Sequence, residues 1–559
     1  VSATDIRPLT PSARRGLLAA YDVATACQGL ATTDNDQFVR SWHEVPADRI
    51  SFTSANAEEA IQSGCRWFPI DKGGPYRKWF GNNDYVVDWE NDGSRIRNSI
   101  VQKYQYLNGN PDFVAKNPSK YFLPGVTWGK ITSALFSARY SPRGSIFSDA
   151  GMKAFGKNQE EDLGIAGLLN SRVTPYFLSA LSSTMNYEQG NISRIPIKKV
   201  NTDKIHLMVS LSEKDWDQFE TSWNFKCSPL LTAGKQEGAL AGRYKDLRSS
   251  WLQTTLVMQQ LEESNNQRFI DAYGLSTELS PRVALEEVTL TCNPHHRYGA
   301  DVSEEEQEAR LRADTICELL SYSVGCTMGR YSLAELGLVY AGSGNRGFDQ
   351  SRYGAFPVDD DAIVPVTEME WFDDDAASRF EQFLKAAWPQ ESVRENLRFV
   401  AESLANNGAG DAREIIRSYF ARGFFKDHLK TYKRRPIYWL FSSGKLKAFE
   451  CLVYIHRYNE STLSRMRMEY VVPLQSRMAA RIDQLGDDVS SASSSAARTK
   501  AQKEKDLLAR QLEELRAFDE ELRHYADQRI ALDLDDGVKV NYGKFGNLLA
   551  ERKAVTGEK

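Results

Sequence analysis

The stretch Phe68-Pro69-Ile70-Asp71-Lys72-Gly73-Gly74-Pro75-Tyr76-Arg77-Lys78-Trp79-Phe80-Gly81-Asn82 sets the character of this chain. A short apolar run passes into a turn built of Gly73, Gly74 and Pro75, and the turn passes into a basic and aromatic group, Tyr76 to Phe80. Apolar runs this short, closed by Gly and Pro, read as strands joined by irregular loops. The texture extends on both sides, through Tyr85-Val86-Val87-Asp88-Trp89 and Gly144-Ser145-Ile146-Phe147, from Gly29 to about Ile197. Helices are expected within it at Asp162 to Asn170 and Thr174 to Thr184.

The window Arg66 to Arg143 holds 12 Lys or Arg against 6 Asp or Glu, with 15 aromatic residues. The net charge of the chain is -5, so any nucleic-acid surface must be local, and this window is where positive charge gathers. Cations mounted beside Gly, Pro and Asn suit phosphate contact, and Arg or Asn there can read base edges. The candidate DNA-contacting residues are Lys72, Arg77, Lys78, Trp79, Asn82, Trp128, Lys130, Arg139, Tyr140 and Arg143. Tyr76, Trp79 and Trp128 have two readings: stacking or wedging side chains, or the core of a small loop-rich domain.

Downstream the texture turns helical. Ser212-Glu213-Lys214-Asp215 resembles a helix start, with a capping hydroxyl and early carboxylates. Residues 240–275, Glu304 to Tyr322 and Ala376 to Asn406 carry helical patterns. Two acidic runs, Asp359-Asp360-Asp361 and Asp373-Asp374-Asp375, read as a solvated or partner-facing surface. After a Ser/Ala-rich break at Ser490 to Ala497, Leu508, Leu515 and Leu522 recur every seven residues with Phe518 and Tyr525 between them, a short coiled-coil-like seam. A basic segment from Arg422 to Lys447 reads either as a second phosphate-contacting surface or as a surface helix and turn around a buried Trp439.

Seven scattered cysteines without a CxxC pair argue against a disulfide framework or a zinc ribbon and fit a reducing, cytoplasmic setting. No run of about 18 apolar residues suggests a membrane span.

Several phrases of the chain are similar to one family. They include Gly29-Leu30-Ala31-Thr32-Thr33-Asp34-Asn35-Asp36, the quoted stretch from Phe68, Val87-Asp88-Trp89-Glu90-Asn91-Asp92-Gly93 and Tyr121-Phe122-Leu123-Pro124-Gly125-Val126-Thr127-Trp128. Others are Lys214-Asp215-Trp216, Thr289-Leu290-Thr291-Cys292-Asn293-Pro294 and Arg435-Pro436-Ile437-Tyr438-Trp439-Leu440. Together they resemble the PglX/BrxX adenine-specific DNA methyltransferases of BREX phage-defence systems. Leu168-Leu169-Asn170-Ser171 followed by Gly190-Asn191-Ile192-Ser193-Arg194-Ile195-Pro196-Ile197 resembles the close of target-recognition domains more widely. The resemblance implies a mixed α+β chain: a loop-rich α/β target-recognition domain at 31–200, then a mostly helical domain at 201–472. A coiled-coil-like helix pair at 473–535 and a tail at 536–559 would follow. Residues 1–30 would be a connector from an upstream catalytic region. The implied partners are double-stranded DNA, a methyltransferase catalytic chain and other BREX proteins, with no membrane.

An amino-group methyltransferase needs an Asn/Asp-Pro-Pro-Tyr/Phe loop for the flipped adenine and a glycine-rich turn for S-adenosylmethionine. The sequence has no Asn-Pro-Pro-Tyr or Asn-Pro-Pro-Phe. Asn293-Pro294-His295-His296 lacks the aromatic half, and the Gly-rich Tyr340 to Gly347 reads as a surface loop. The expectation is therefore no catalytic, cofactor-binding or metal site in this chain, with S-adenosylmethionine serving the complete enzyme. Alternatives are a stand-alone specificity subunit that recruits a separate methyltransferase, part of a fused restriction-modification enzyme, and a non-DNA scaffold.

Overall fold

The computed structural model describes residues 25–131, 135–181, 186–198, 200–231, 236–405 and 410–558. Expectations for residues 1–24, for the end of the helix at 182–184 and for Asn406 lie outside them. The chain divides into two compact units. The first comprises Val1–Trp42, Asp48–Ser222 and Asp246–Leu311; the second comprises His43–Ala47, Trp223–Lys245 and Arg312–Lys559. The architecture is mixed α+β, with helices predominating and the strands gathered in small sheets.

The first unit holds two four-stranded sheets. One has β1 (Thr25–Cys27), β8 (Gly151–Phe155), β5 (Gly125–Gly129) and β6 (Ala138–Ser141) in that order, all antiparallel. The other has β2 (Val39–Ser41), β4 (Tyr85–Asp88), β3 (Trp67–Asp71) and β7 (Ile146–Phe147), with β3 and β7 parallel. Every residue of β3 and β8 is buried, so these strands carry side chains into packing on both faces and show no polar alternation. The end of the stretch read as a connector is thus a strand.

Each sheet has its own core. Phe68, Val87, Trp89, Ile96, Ile100 and Phe147 build one. Trp79, Val126, Trp128 and Met152 build the other, with Leu163, Phe177, Met208, Trp251 and Phe269 from helices Gln159–Leu169, Val173–Leu181, Asp203–Trp216 and Leu240–Tyr273. The helix at 159 starts where Asn158 accepts from Glu161 N (3.0 Å), ahead of three carboxylates in its first turn.

Ser212 does not start a helix; it sits near the end of Asp203–Trp216. The side chains that imitate a cap there are spent on tertiary contacts instead. Ser212 Oγ donates to Phe80 O (3.1 Å), and Asp215 accepts from Thr291 N (2.7 Å) and Cys292 N (2.9 Å).

The second unit has a three-stranded antiparallel sheet ordered β10 (Tyr438–Ser442), β11 (Glu450–Tyr454), β9 (Ile363–Pro365). The stretch from Ala376 breaks at Trp388-Pro389 into helices Ala376–Ala387 and Val393–Leu404. The acidic runs are only partly solvated: Asp360 and Asp373 are exposed, while Asp359 and Asp375 are buried and Asp361 and Asp374 half-buried, and these four fasten the chain locally. Asp359 Oδ1 accepts from Ala362 N (2.8 Å), Tyr470 OH donates to Asp361 (3.1 Å) and Asp374 (3.0 Å), and Asp375 caps its helix at Ser378 N (2.8 Å). Burial pushes the Asp359 carboxyl up to about 8.

Helices Val472–Ser491 and Ser495–Asp527 form the expected hairpin, with Ser494 capping the second at Ala497 N (3.1 Å). Leu508, Leu512, Leu515, Phe518 and Leu522 are buried along its seam, and Arg481–Glu504 (2.8 Å) and Arg467–Asp519 (2.7 Å) flank it. Among the described residues no helix is long and apolar enough to cross a membrane.

Candidate nucleic-acid interface

The loop after β3 is held from inside by its own cations. Arg77 donates to Phe80 O (2.6 Å), Thr291 Oγ1 (2.9 Å), Ser212 O (3.0 Å) and Asp215 Oδ2 (2.9 Å), and its guanidinium lies over the Trp216 ring at 4.9 Å. Gly81 (φ 123°) leaves room for this arrangement; a Cβ there would stand 2.4 Å from Arg77 Nε. Lys78 pairs with Glu262, which also accepts from Trp79 Nε1 (2.7 Å). Asn82 donates to Pro75 O (3.0 Å), and Trp128 Nε1 donates to Tyr187 O (2.9 Å). Arg139 lies buried on β6, where loss of water lowers its guanidinium to about 10.

Arg77, Lys78, Trp79, Asn82, Trp128 and Arg139 are therefore buried side chains and not offered to a ligand in this conformation. The physical reason is that buried cations must find partners. For Arg77 and Lys78 the partners stand 138 and 184 residues further along the chain.

Beneath the loop, Lys153 of β8 is fully buried and donates to Ser141 Oγ (2.8 Å), Ser145 Oγ (3.2 Å) and Asp71 Oδ2 (3.3 Å). Asp71 Oδ2 also accepts from Ser141 (2.8 Å) and Ser145 (3.0 Å). Burial lowers the ammonium of Lys153, and Asp71 works against that shift. Because Asp71 belongs to β3 and Lys153 to β8, this pair fastens the two sheets where the loop departs.

The remaining candidates reach the surface. Lys72 Nζ donates to Asn35 Oδ1 (2.8 Å), and partial burial lowers its ammonium. Lys130 pairs with Glu188 (2.9 Å), Tyr140 is half-buried, and Arg143 is exposed beyond β6. The strap 28–35 is a common rest for three lysines. Besides Lys72 on Asn35, Lys103 donates to Thr33 O (3.1 Å) and Lys116 to Gln28 Oε1 (2.9 Å).

Beside two of these lysines stand two large exposed aromatics that the candidate set omits. Tyr106 is 71% exposed and Phe113 66%. Lys103 lies over Tyr104, which meets Tyr106 edge to face at 5.9 Å, and Lys116 lies over Phe113 at 5.8 Å. The signal for this pair is Asn108-Gly109-Asn110, a turn sequence that lifts its flanking residues away from the core. Lys cations resting on neutral acceptors beside exposed rings can contact phosphate and stack on bases.

The two stretches weighed against S-adenosylmethionine chemistry do not fit it. Asn293 is buried, with Nδ2 donating to Leu285 O and Val288 O (2.8 Å each) and Oδ1 accepting from His295 N (3.2 Å), so its amide is fully used as a cap. Residues 340–347 follow no strand and open no α-helix. Among the described residues no group of three or more His, Cys, Asp or Glu is placed to hold a metal. In the basic segment from Arg422, Arg422 pairs with Glu368 (2.8 Å) and Lys447 with Glu450 (2.9 Å), while Lys426, Lys430, Lys433 and Arg434 are exposed and Trp439 is buried.

No protein-family model matches the chain. Two curated proteins are similar to it. Adenine-specific methyltransferase BrxX of Escherichia coli O9:H4 (strain HS) is 43% identical over 547 residues, covering 95% of this chain and 43% of that protein. Adenine-specific methyltransferase PglX of Lacticaseibacillus casei (strain Zhang) is 35% identical over 537 residues, covering 94% of this chain and 42% of that protein. The chain thus spans less than half the length of the relatives it matches, while being matched itself almost end to end.

Proposed function

We propose that this chain is the DNA target-recognition and scaffolding portion of a site-specific DNA adenine N6-methyltransferase of BREX type, acting in host DNA marking and phage exclusion. The observation that carries this reading is the end-to-end similarity to two adenine-specific methyltransferases. The surface supports it: Lys72, Lys103 and Lys116 spaced along one strap, with Tyr106 and Phe113 exposed beside the second and third. In this reading the lysines neutralise backbone phosphates and fix register. The two rings, with Lys130, Tyr140 and Arg143, contribute contacts that depend on base sequence and duplex shape.

The buried set of Arg77, Lys78, Trp79, Asn82, Trp128 and Arg139 acts one step back, holding loops at fixed positions. The methyl transfer itself, with S-adenosylmethionine as donor, belongs to the catalytic part of the complete enzyme. In this chain no adenine-holding Asn-Pro-Pro-Tyr/Phe loop occurs.

The test is fluorescence anisotropy of the purified chain on a labelled duplex. Changing Lys72, Lys103 and Lys116 together to Ala is expected to weaken binding at least tenfold at low salt and to lower the salt slope by about three. Tyr106→Ala with Phe113→Ala is expected to weaken binding with the slope unchanged. Wild-type affinity and slope in the lysine variant would remove the strap from the interface.

A further inference from the structure

The basic segment from Arg422 has a charge balance unlike the rest of the chain. From His428 to Phe449 there is no Asp or Glu, in a protein that holds 75 of them. Across Arg422 to Lys447, eight cations stand against one carboxylate, Asp427. Asp427 accepts from Tyr419 OH (3.0 Å), and burial, with Asp314 beside it, pushes its carboxyl up.

Three of these cations, Lys426, Lys430 and Arg434, are exposed, and none of the three has an ion pair among the described residues. They lie in one short run of the second unit. Lys426 and Lys430 belong to the helix Phe424–Thr431, whose buried face is Phe424, Phe425 and His428. Four residues apart, the two lysines are neighbours on the opposite face. Arg434 stands just past the end of the helix.

The helix itself accounts for one of the three. Lys430 sits in the last turn, where the negative end of the dipole favours a cation. Lys426 sits in the first turn, at the end that disfavours one. Lys433 and Arg434 both take left-handed backbone (φ 50° and 61°) and close the helix through Lys433 N on Lys430 O (3.2 Å) and Arg434 N on Leu429 O (2.7 Å). Such a closing turn favours Gly, so an arginine in it is strained, and no ion pair of its side chain compensates.

The run is firmly mounted. Just beyond it, Ile437 N and Tyr438 N donate to His428 Nε2 (3.1 Å each), and Arg435 Nη1 donates to Val555 O (3.2 Å). Between them, Tyr432 is buried. No large apolar side chain is exposed in the run, in contrast to Tyr106 and Phe113 beside the strap. What it offers a partner is therefore positive charge at fixed positions, without rings to stack.

From this arrangement we infer that Lys426, Lys430 and Arg434 form a second DNA-backbone surface, one that grips duplex phosphates without reading bases; the inference rests on the proposed DNA-binding function. Exposed cations strung along a helix and its closing turn match the repeating charge of a polyanion.

The experiment is fluorescence anisotropy of the purified chain on labelled duplexes of several sequences across a salt series. Changing Lys426, Lys430 and Arg434 together to Ala is expected to weaken binding about tenfold or more at low salt, to lower the salt slope by about three, and to do so equally on every sequence. Lys426→Arg with Lys430→Arg, which keeps the charge, should leave affinity and slope unchanged. Arg434→Gly should weaken binding severalfold while the urea midpoint holds or rises, because Gly relieves the left-handed strain. Unchanged affinity and slope in the triple Ala variant, or a loss confined to one sequence, would overturn the inference. A lower urea midpoint in Arg434→Gly would overturn it by giving the guanidinium a structural role. Polyglutamate that competes as well as unlabelled duplex would do so by assigning the cations to an acidic protein. If the triple Ala variant is weakened while the variant of Lys72, Lys103 and Lys116 binds as wild type, the strap falls and this surface stands; a wild-type chain that binds no DNA at low salt removes both.

Discussion

Arg77 illustrates how a cation beside Gly and Pro can be a buried fastening rather than a surface charge. Its hydrogen bonds to Phe80, Thr291, Ser212 and Asp215 and its contact with the Trp216 ring join the loop after β3 to the helix Asp203–Trp216 and to Thr291. A lysine carries the same charge but no planar fork, so it cannot reach Thr291, Ser212 and Asp215 together. Arg77→Lys is expected to destabilise the first unit by about 2–4 kcal/mol, the order seen when a buried hydrogen-bonded ion pair loses its geometry. Urea unfolding followed by tryptophan fluorescence measures it; a change under about 0.5 kcal/mol would mean that the fork holds nothing. From sequence, Arg77 and Lys78 looked like loop cations because Gly, Pro and Asn surround them. Their carboxylate partners, Asp215 and Glu262, are too distant along the chain for local pattern to pair them. Tyr106 and Phe113 are hidden in the sequence for the opposite reason: burial is the ordinary fate of a large aromatic, and only the Asn-Gly-Asn turn between them signals otherwise.

At the scale of elements, periodic signals translated well. The seven-residue leucine spacing lies in the second helix of the hairpin, with the Ser/Ala-rich break at its tip, and the polar stretch from 240 is one long helix. Signals made of capping residues translated less well, since Ser212 and Asp215 serve tertiary contacts near the end of their helix, and Asp359 and Asp375 of the acidic runs are buried acceptors of backbone N–H groups. Strand β10 shows a fastening with a pH signature. His428 Nε2 accepts from Ile437 N and Tyr438 N (3.1 Å each), so the ring must stay neutral there. Burial, with Arg330 nearby, lowers it to about 3. A folded value below the unfolded one near 6.5 gives stability that is present above pH 6.5 and lost as pH falls toward the folded value. Asp359, raised to about 8, pulls the opposite way, so the effect is read by difference. His428→Gln keeps an acceptor and removes the titration. Relative to wild type, the variant should gain about 1 kcal/mol on going from pH 7.5 to 5.5 in urea midpoints. A difference that stays constant with pH would show that His428 titrates normally.

At the scale of the whole molecule, a chain of net charge -5 is expected to meet DNA only through a local patch. In the proposed reading the lysines resting on the 28–35 strap would supply one, on a unit whose two sheets are pinned together by Asp71 and Lys153. The mixed α+β architecture and the loop-rich character of the first part were legible from composition and turn residues. Which cations face outward was not, because exposure depends on packing between segments far apart in sequence. The most direct test of the recognition role is equilibrium binding of the purified chain to duplex DNA across a salt series from about 50 to 200 mM. The logarithm of the binding constant is expected to fall linearly with the logarithm of salt, with a slope of about -3 or steeper. No binding at the lowest salt, or binding that ignores salt, would contradict it.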